Sequence, residues 1–226
     1  MRAPSPLIEA RNLRVFYRSG SIFSRPRWVA GPISLHVHRG EFVGLSGPSG
    51  CGKTSVGKAL LNLMGTWEGD IYWKGRNVRH ASQRELRPRF GWISQEPMLA
   101  FNPRRRIMET LRETLSVNRV TGNAQHRVAQ LCEMVNLQPG MAMRFPFELS
   151  AGQIQRFALI RIFMLDPEFV LLDEPTSSLD PINQAQILDL IGEWRRHHGL
   201  TALIIAHSQR VLKKVCDRLL YLSATP

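Results

Sequence analysis

Gly47-Pro-Ser-Gly-Cys-Gly-Lys-Thr54 is the stretch from which the rest of this 226-residue chain becomes readable. It satisfies the pattern G-x-x-x-x-G-K-[ST]. Glycines let a backbone wrap tightly around a phosphate, because a Cβ would block the approach. The flanks agree with that use. Residues 42–46 (FVGLS) read as a short buried strand. Residues 54–64 carry Val56, Ala59, Leu60, Leu63 and Met64 on one helical face, with Gly65 as the stop. A strand that feeds a glycine turn and opens a helix offers successive amide N–H groups and a helix N-terminus to an anion. Lys53 is then expected to reach the β- and γ-phosphates, and the Thr54 hydroxyl to ligate Mg²⁺. Cys51 is a small residue suited to a tight loop.

Further along, Phe169-Val-Leu-Leu-Asp-Glu174 ends an apolar run with two carboxylates. Neighbouring strand residues face opposite ways, so the two acids need not share a task. Asp173 is expected in the Mg²⁺ shell. Glu174 is the candidate base, or orienter, for an attacking water. Residues 169–172 and 201–206 both read as buried strands followed by turn residues and a helix-like segment. This alternation predicts an α/β fold with a mainly parallel sheet and crossover helices.

The two ends of that core read differently. Residues 7–10, 13–17 and 33–37 give β-hairpin signals, with a Gly/Ser/Pro/Arg-rich connection over 18–27. Between 97 and 158, Ile107, Met108, Leu111 and Leu115 have helical spacing, as do Val128, Leu131, Val135 and Leu137. The expectation is one domain over 1–226. Residues 1–96 and 159–226 form a core with an N-terminal antiparallel β part, and 97–158 form a helical insertion.

Composition bounds the partners. Thirty Lys and Arg against eighteen Asp and Glu give a formal charge of +12, which favours a polyanion: nucleotide phosphate, nucleic acid or an anionic membrane face. Three scattered cysteines without metal-ligand spacing suit a reducing compartment. The opening residues lack an apolar signal-peptide core, and no apolar run reaches the roughly 18 residues of a membrane span. A role at a membrane therefore requires a docking partner.

Leu149-Ser-Ala-Gly-Gln153 resembles the signature loop of the ATP-binding cassette (ABC) ATPases, and it precedes Asp173-Glu174 by the interval typical of that family. Four more elements stand in family order. Gln95 follows a strand over 90–94, like the Q-loop. Ser178-Leu179-Asp180 resembles the D-loop, and His207 the switch histidine. Tyr17, with Phe16 as fallback, resembles the aromatic that stacks on adenine. The resemblance covers nearly the whole chain. Gln95-Glu-Pro-Met-Leu-Ala-Phe-Asn-Pro-Arg104 and the long first hairpin loop are similar to the peptide and nickel importer group. Ala151 stands where glycine is commonest. The chain stops at Pro226, after a strand over 219–222, where such relatives continue with another hairpin.

What the resemblance implies is an ATPase that powers import of peptides, nickel or metal-chelate complexes, with ATP and Mg²⁺ as its ligands. Gly47, Pro48, Ser49, Gly50, Cys51, Gly52, Lys53, Thr54 and Ser55 would cradle the nucleotide under Tyr17. Thr54, Gln95 and Asp173 would serve the metal, and Glu174, His207 and Gln95 the hydrolysis. Ser150, Gly152 and Gln153 would meet the γ-phosphate held by a second ABC ATPase subunit, paired head to tail. Two permease subunits, and indirectly a solute-binding protein, complete the implied assembly at the cytoplasmic face of the membrane, with no nucleic acid. The rival is a nucleic-acid-associated ABC ATPase. It has the charge in its favour, but the chain has a single cassette and no sustained heptads.

Overall fold

The computed structural model describes residues 5–17, 27–64, 66–177 and 179–223. The hairpin connection over 18–26, the helix stop at Gly65, Ser178 of the D-loop and the tail over 224–226 lie outside them.

Two sheets frame the molecule. Strands β1 (Ile8–Tyr17) and β2 (Arg27–Val37) pair antiparallel, and β1 also pairs with β4 (Trp67–Trp73), itself joined to β5 (Arg76–Asn77). The expected separate strands over 7–10 and 13–17 are one strand. Its register shifts between Ala10 and Leu13, where Asn12 takes a left-handed φ of 49° and its N–H donates to Ser34 Oγ at 2.9 Å. The second sheet is fully parallel, in the order β6 (Phe90–Ile93), β7 (Phe169–Asp173), β8 (Thr201–Ile205), β3 (Phe42–Ser46), β9 (Arg218–Tyr221). The α/β expectation and the antiparallel N-terminal part are both observed.

All five residues of β7 are buried, and they alternate between two cores. Phe169 and Leu171 join Val43, Leu45, Leu203 and Ile205 under helix α1 (Lys53–Leu60) and the antiparallel sheet. Val170 and Leu172 join Phe42, Ala202 and Ile204 against the helices of the opposite face. A sheet covered on both faces needs such unbroken apolar strands. Truncating Leu171 to Ala would cost about 2–5 kcal/mol.

Helix α1 ends earlier than its apolar stripe suggests. Asn62 turns left-handed (φ 53°). Its N–H donates to the Ala59 carbonyl, and that of Leu63 to the Lys58 carbonyl. This paired reverse bond closes a helix at a left-handed residue, and it leaves Leu63 half exposed.

After the short α2 (Gln83–Leu86), the chain over 97–158 carries α3 (Ile107–Val117), α4 (Ala124–Met134), three 3₁₀ turns and the start of α5 (Ala151–Phe163), with no strand among the described residues. These helices share one core with the sheet. Helix α6 (Pro181–His198) starts at Asp180, whose side chain accepts from the N–H groups of Ile182 and Asn183 at 3.1 Å, and stops at left-handed Gly199. The last helix, α7 (Gln209–Val215), is capped by Ser208.

Candidate nucleotide site

Residues that follow the carboxyl ends of parallel strands converge at one edge of a sheet, the usual ligand position in open α/β folds. Here β3 runs into the glycine loop, β6 toward Gln95, β7 into Glu174 and β8 toward His207. Together they border a cleft of about 410 Å³ lined by Tyr17, Val29, Ser49, Gly50, Gly52, Lys53, Thr54, Ser55, Gln95, Glu174 and His207.

The loop takes its form from two left-handed glycines. Gly52 (φ 92°) is the N-cap of α1, and a Cβ there would come within 2.5 Å of the Val29 carbonyl oxygen. Gly50 (φ 76°) has open space where its Cβ would stand, as a backbone that must admit a ligand requires. Lys53 is buried and donates from Nζ to the carbonyl oxygens of Gly47 and Pro48, at 3.0 and 2.8 Å. Its ammonium is thus folded back over the loop mouth. The Cys51 side chain turns away into the core beneath the antiparallel sheet, and its N–H points back to the Pro48 carbonyl at 3.4 Å.

At the far wall, the Thr54 hydroxyl donates to Asp173 Oδ1 at 3.0 Å. Burial, the largest influence, raises the Asp173 carboxyl above the usual carboxylate range; Thr54 lowers it and neighbouring Glu174 raises it further. A buried carboxylate oxygen beside a hydroxyl offers the hard oxygen ligands that suit a divalent cation such as Mg²⁺. Glu174 faces the cleft from a left-handed backbone (φ 51°), a rare conformation for a side-chain-bearing residue. His207 Nε2 lies 2.7 Å from Glu174 Oε1, while Glu174 Oε2 is buried without a hydrogen-bond partner among the described residues.

Tyr17 is half exposed, and its hydroxyl lies 3.1 Å from Ser55 Oγ. The fallback Phe16 is buried and packs edge-on against Trp28. Val29 lies in the lining although the sequence signal for its strand begins only at residue 33, because β2 in fact starts at Arg27.

Ser150, Gly152 and Gln153 do not line this cleft. They form the first turn of α5, where Ser150 Oγ accepts from the Gln153 N–H at 3.3 Å and Gln153 Oε1 accepts from the Ser150 N–H at 3.0 Å. The Gln153 side chain is therefore engaged in capping. Ser150 and Ala151, at the start of the helix, are exposed.

Comparison with known proteins gives this geometry a family. A family model described as ABC transporter matches residues 30–177. A relative in Brucella ovis, named as a peptide import ATP-binding protein, is 35% identical over 96% of this chain and 69% of its own. The oligopeptide transport ATP-binding protein OppF of Bacillus subtilis is 35% identical over 83% of this chain and 64% of its own. Among solved structures, the dimeric form of MJ0796, a bacterial ABC transporter cassette, superposes with a TM-score of 0.83 at 25% identity, over 96% of this chain and 94% of that one. The chain belongs to the ABC transporter family, as one of its ATP-hydrolysing cassettes.

Proposed function

We propose that this chain drives an importer of peptides, working as a head-to-tail pair with a second cassette beneath two membrane-spanning permease subunits. A solute-binding protein supplies the cargo. Support for peptides comes from the names of the relatives. The observation that carries the catalytic part is that the glycine loop, Gln95 and the Glu174–His207 pair border one cleft.

In this reading Lys53 leaves the Gly47 and Pro48 carbonyls and pairs with the β- and γ-phosphates. The loop amides from Ser49 to Ser55 cradle the chain of phosphates, while Tyr17 lies against adenine. Thr54 and Asp173, with Gln95 nearby, would hold Mg²⁺, which when bound neutralises charge on the β- and γ-phosphates. Glu174 takes a proton from the attacking water through its free oxygen Oε2, while His207 fixes Oε1. Ser150, the Gly152 amide and the α5 N-terminus close over the partner's γ-phosphate, so closure depends on that phosphate and ends with its release.

Residues 97–158 then act as the lobe that passes this motion to the permeases, and the rest as the core. No helix among the described residues is long and apolar enough to cross a membrane. Attachment to the cytoplasmic face is accordingly assigned to the permease contact.

The test is Mg²⁺-dependent phosphate release from ATP by the purified chain, followed by reconstitution with permeases and a peptide-loaded binding protein. No hydrolysis in either setting sinks the reading. Hydrolysis stimulated by a nickel chelate but not by peptides overturns the cargo alone. Salt-sensitive binding to DNA or RNA would instead favour the nucleic-acid-associated rival.

A further inference from the structure

Glu174 is awkwardly placed for a residue whose side chain must be aimed. It has a left-handed φ of 51°, and it precedes Pro175, which disfavours compact backbone at the position before it. Strain of this kind persists only where the surroundings over-determine it. The Glu174 N–H donates to the Ile205 carbonyl at 2.9 Å; Pro175 has no N–H, so the rest of the Glu174–Pro175 step is tethered through carbonyl oxygens. Both carbonyls are held. That of Glu174 accepts from the Ser177 N–H at 3.2 Å and from Ser177 Oγ at 3.1 Å. That of Pro175 accepts from Gln155 Nε2 at 2.8 Å.

Gln155 differs from the other tethers. It is only 2% exposed, and it belongs to α5, the helix whose first turn contains Ser150 and Gly152. Other polar side chains of α5 bond elsewhere. Gln153 caps its own helix, Arg156 reaches the carbonyls of Val135 and Asn136 and the Gln186 side chain, and Arg161 reaches Thr114. A buried amide in an apolar helix face is retained where its hydrogen bond has a task, since leaving the Pro175 carbonyl unpaired is costly.

We infer that Gln155 is a positioning residue for Glu174, tying the helix that reaches the partner's nucleotide to the loop that aims the carboxylate at the chain's own. This rests on the head-to-tail reading above. A displacement of the α5 N-terminus on meeting the partner's phosphate is transmitted through one buried hydrogen bond to Pro175. From there it sets the angle of the preceding carboxylate. Each half-site thereby senses whether the other is filled.

The test uses the full chain with MgATP, comparing wild type with Gln155→Met, which keeps the volume and removes the donor. The expected result is a turnover lowered about tenfold, the effect of losing one buried hydrogen bond. ATP affinity stays within about twofold, and a sigmoidal dependence on ATP becomes hyperbolic. Unchanged turnover and sigmoidicity overturn the inference, as does a loss of affinity and turnover in step with a lowered melting temperature. Should Gln155→Met fail to fold, Gln155→Glu carries the test, because its carboxyl can donate only when protonated. Its turnover relative to wild type must rise as the pH is lowered, and a flat ratio overturns the inference. Absence of hydrolysis by wild type itself would count against the ATPase reading and not against Gln155.

Discussion

His207 Nε2 stands 2.7 Å from Glu174 Oε1 across the ends of adjacent strands, and their exposures are opposite: the histidine side chain is 60% exposed, the carboxylate 11%. The contact occupies one oxygen of the carboxylate and leaves Oε2 buried without a partner among the described residues. A carboxylate contacted at one oxygen and unpaired at the other keeps a lone pair available for proton abstraction from a water. The exposed imidazole is free to meet a ligand entering the cleft.

Replacement Glu174→Gln keeps an oxygen for the His207 donor and removes the base. Turnover is expected to fall by about 100-fold or more, the usual scale for a lost general base. ATP affinity should be unchanged, and a nucleotide-bound dimer should accumulate. Single-turnover phosphate release and size-exclusion chromatography with MgATP read the two effects; normal turnover would remove Glu174 from the mechanism.

His207→Ala removes the donor and frees Oε1, so the carboxylate loses its fixed orientation. Turnover is expected to drop about 10- to 100-fold with ATP affinity within about twofold. Because the two side chains act as a unit, the double variant should be no slower than Glu174→Gln alone. Additive losses in that cycle would show that His207 works independently of the carboxylate.

That pairing was not legible from spacing, since 33 positions separate the two residues. It follows from the β7–β8 register, in which Asp173 stands opposite Ile205, so that Glu174, one residue on, and His207, two residues on, leave the two strands at the same end. The glycine loop was legible because its chemistry is local: eight consecutive residues carry the turn, the lysine and the hydroxyl. Strand β4 was missed for a physical reason. Only Trp67, Ile71 and Trp73 face the core, and left-handed Gly69 breaks the alternation between them. The early end of α1 was equally hidden, because Asn62 as a left-handed stop looks the same in sequence as an asparagine inside a helix, and Leu63 and Met64 continue the apolar period.

Asp173→Asn is expected to raise stability and abolish metal dependence together. Burial raises the Asp173 carboxyl, so above the ordinary carboxylate range the folded state retains a proton that the unfolded chain has lost. By linkage, stability falls as pH rises from about 4 through the folded-state pKa, and the deficit persists at neutral pH. Asparagine carries no such charge and still offers Thr54 an acceptor. The melting temperature without nucleotide should rise by about 2–4 °C for each kcal/mol relieved, with a flatter pH profile. Added Mg²⁺ and ATP should stabilise wild type more than the variant. A lowered melting temperature would mean that the ionised carboxylate is satisfied by Thr54 alone.

Tyr17 makes a prediction that separates ring from hydroxyl. Its half-exposed face borders the cleft, and its hydroxyl lies within hydrogen-bonding reach of Ser55 Oγ. Phe16 is already committed to the core beside Trp28. If the ring stacks on adenine, Tyr17→Ala should weaken ATP binding by the loss of one base–aromatic stack, about 1–3 kcal/mol or roughly 5- to 150-fold in Kd. Tyr17→Phe keeps the ring and gives up only a part-buried hydrogen bond, so its Kd should stay within about threefold of wild type. Inorganic triphosphate offers no base to stack on, and its binding should be indifferent to both changes. Equal losses for ATP and triphosphate in Tyr17→Ala would instead mean that the tyrosine acts by bracing Ser55 and the first turn of α1.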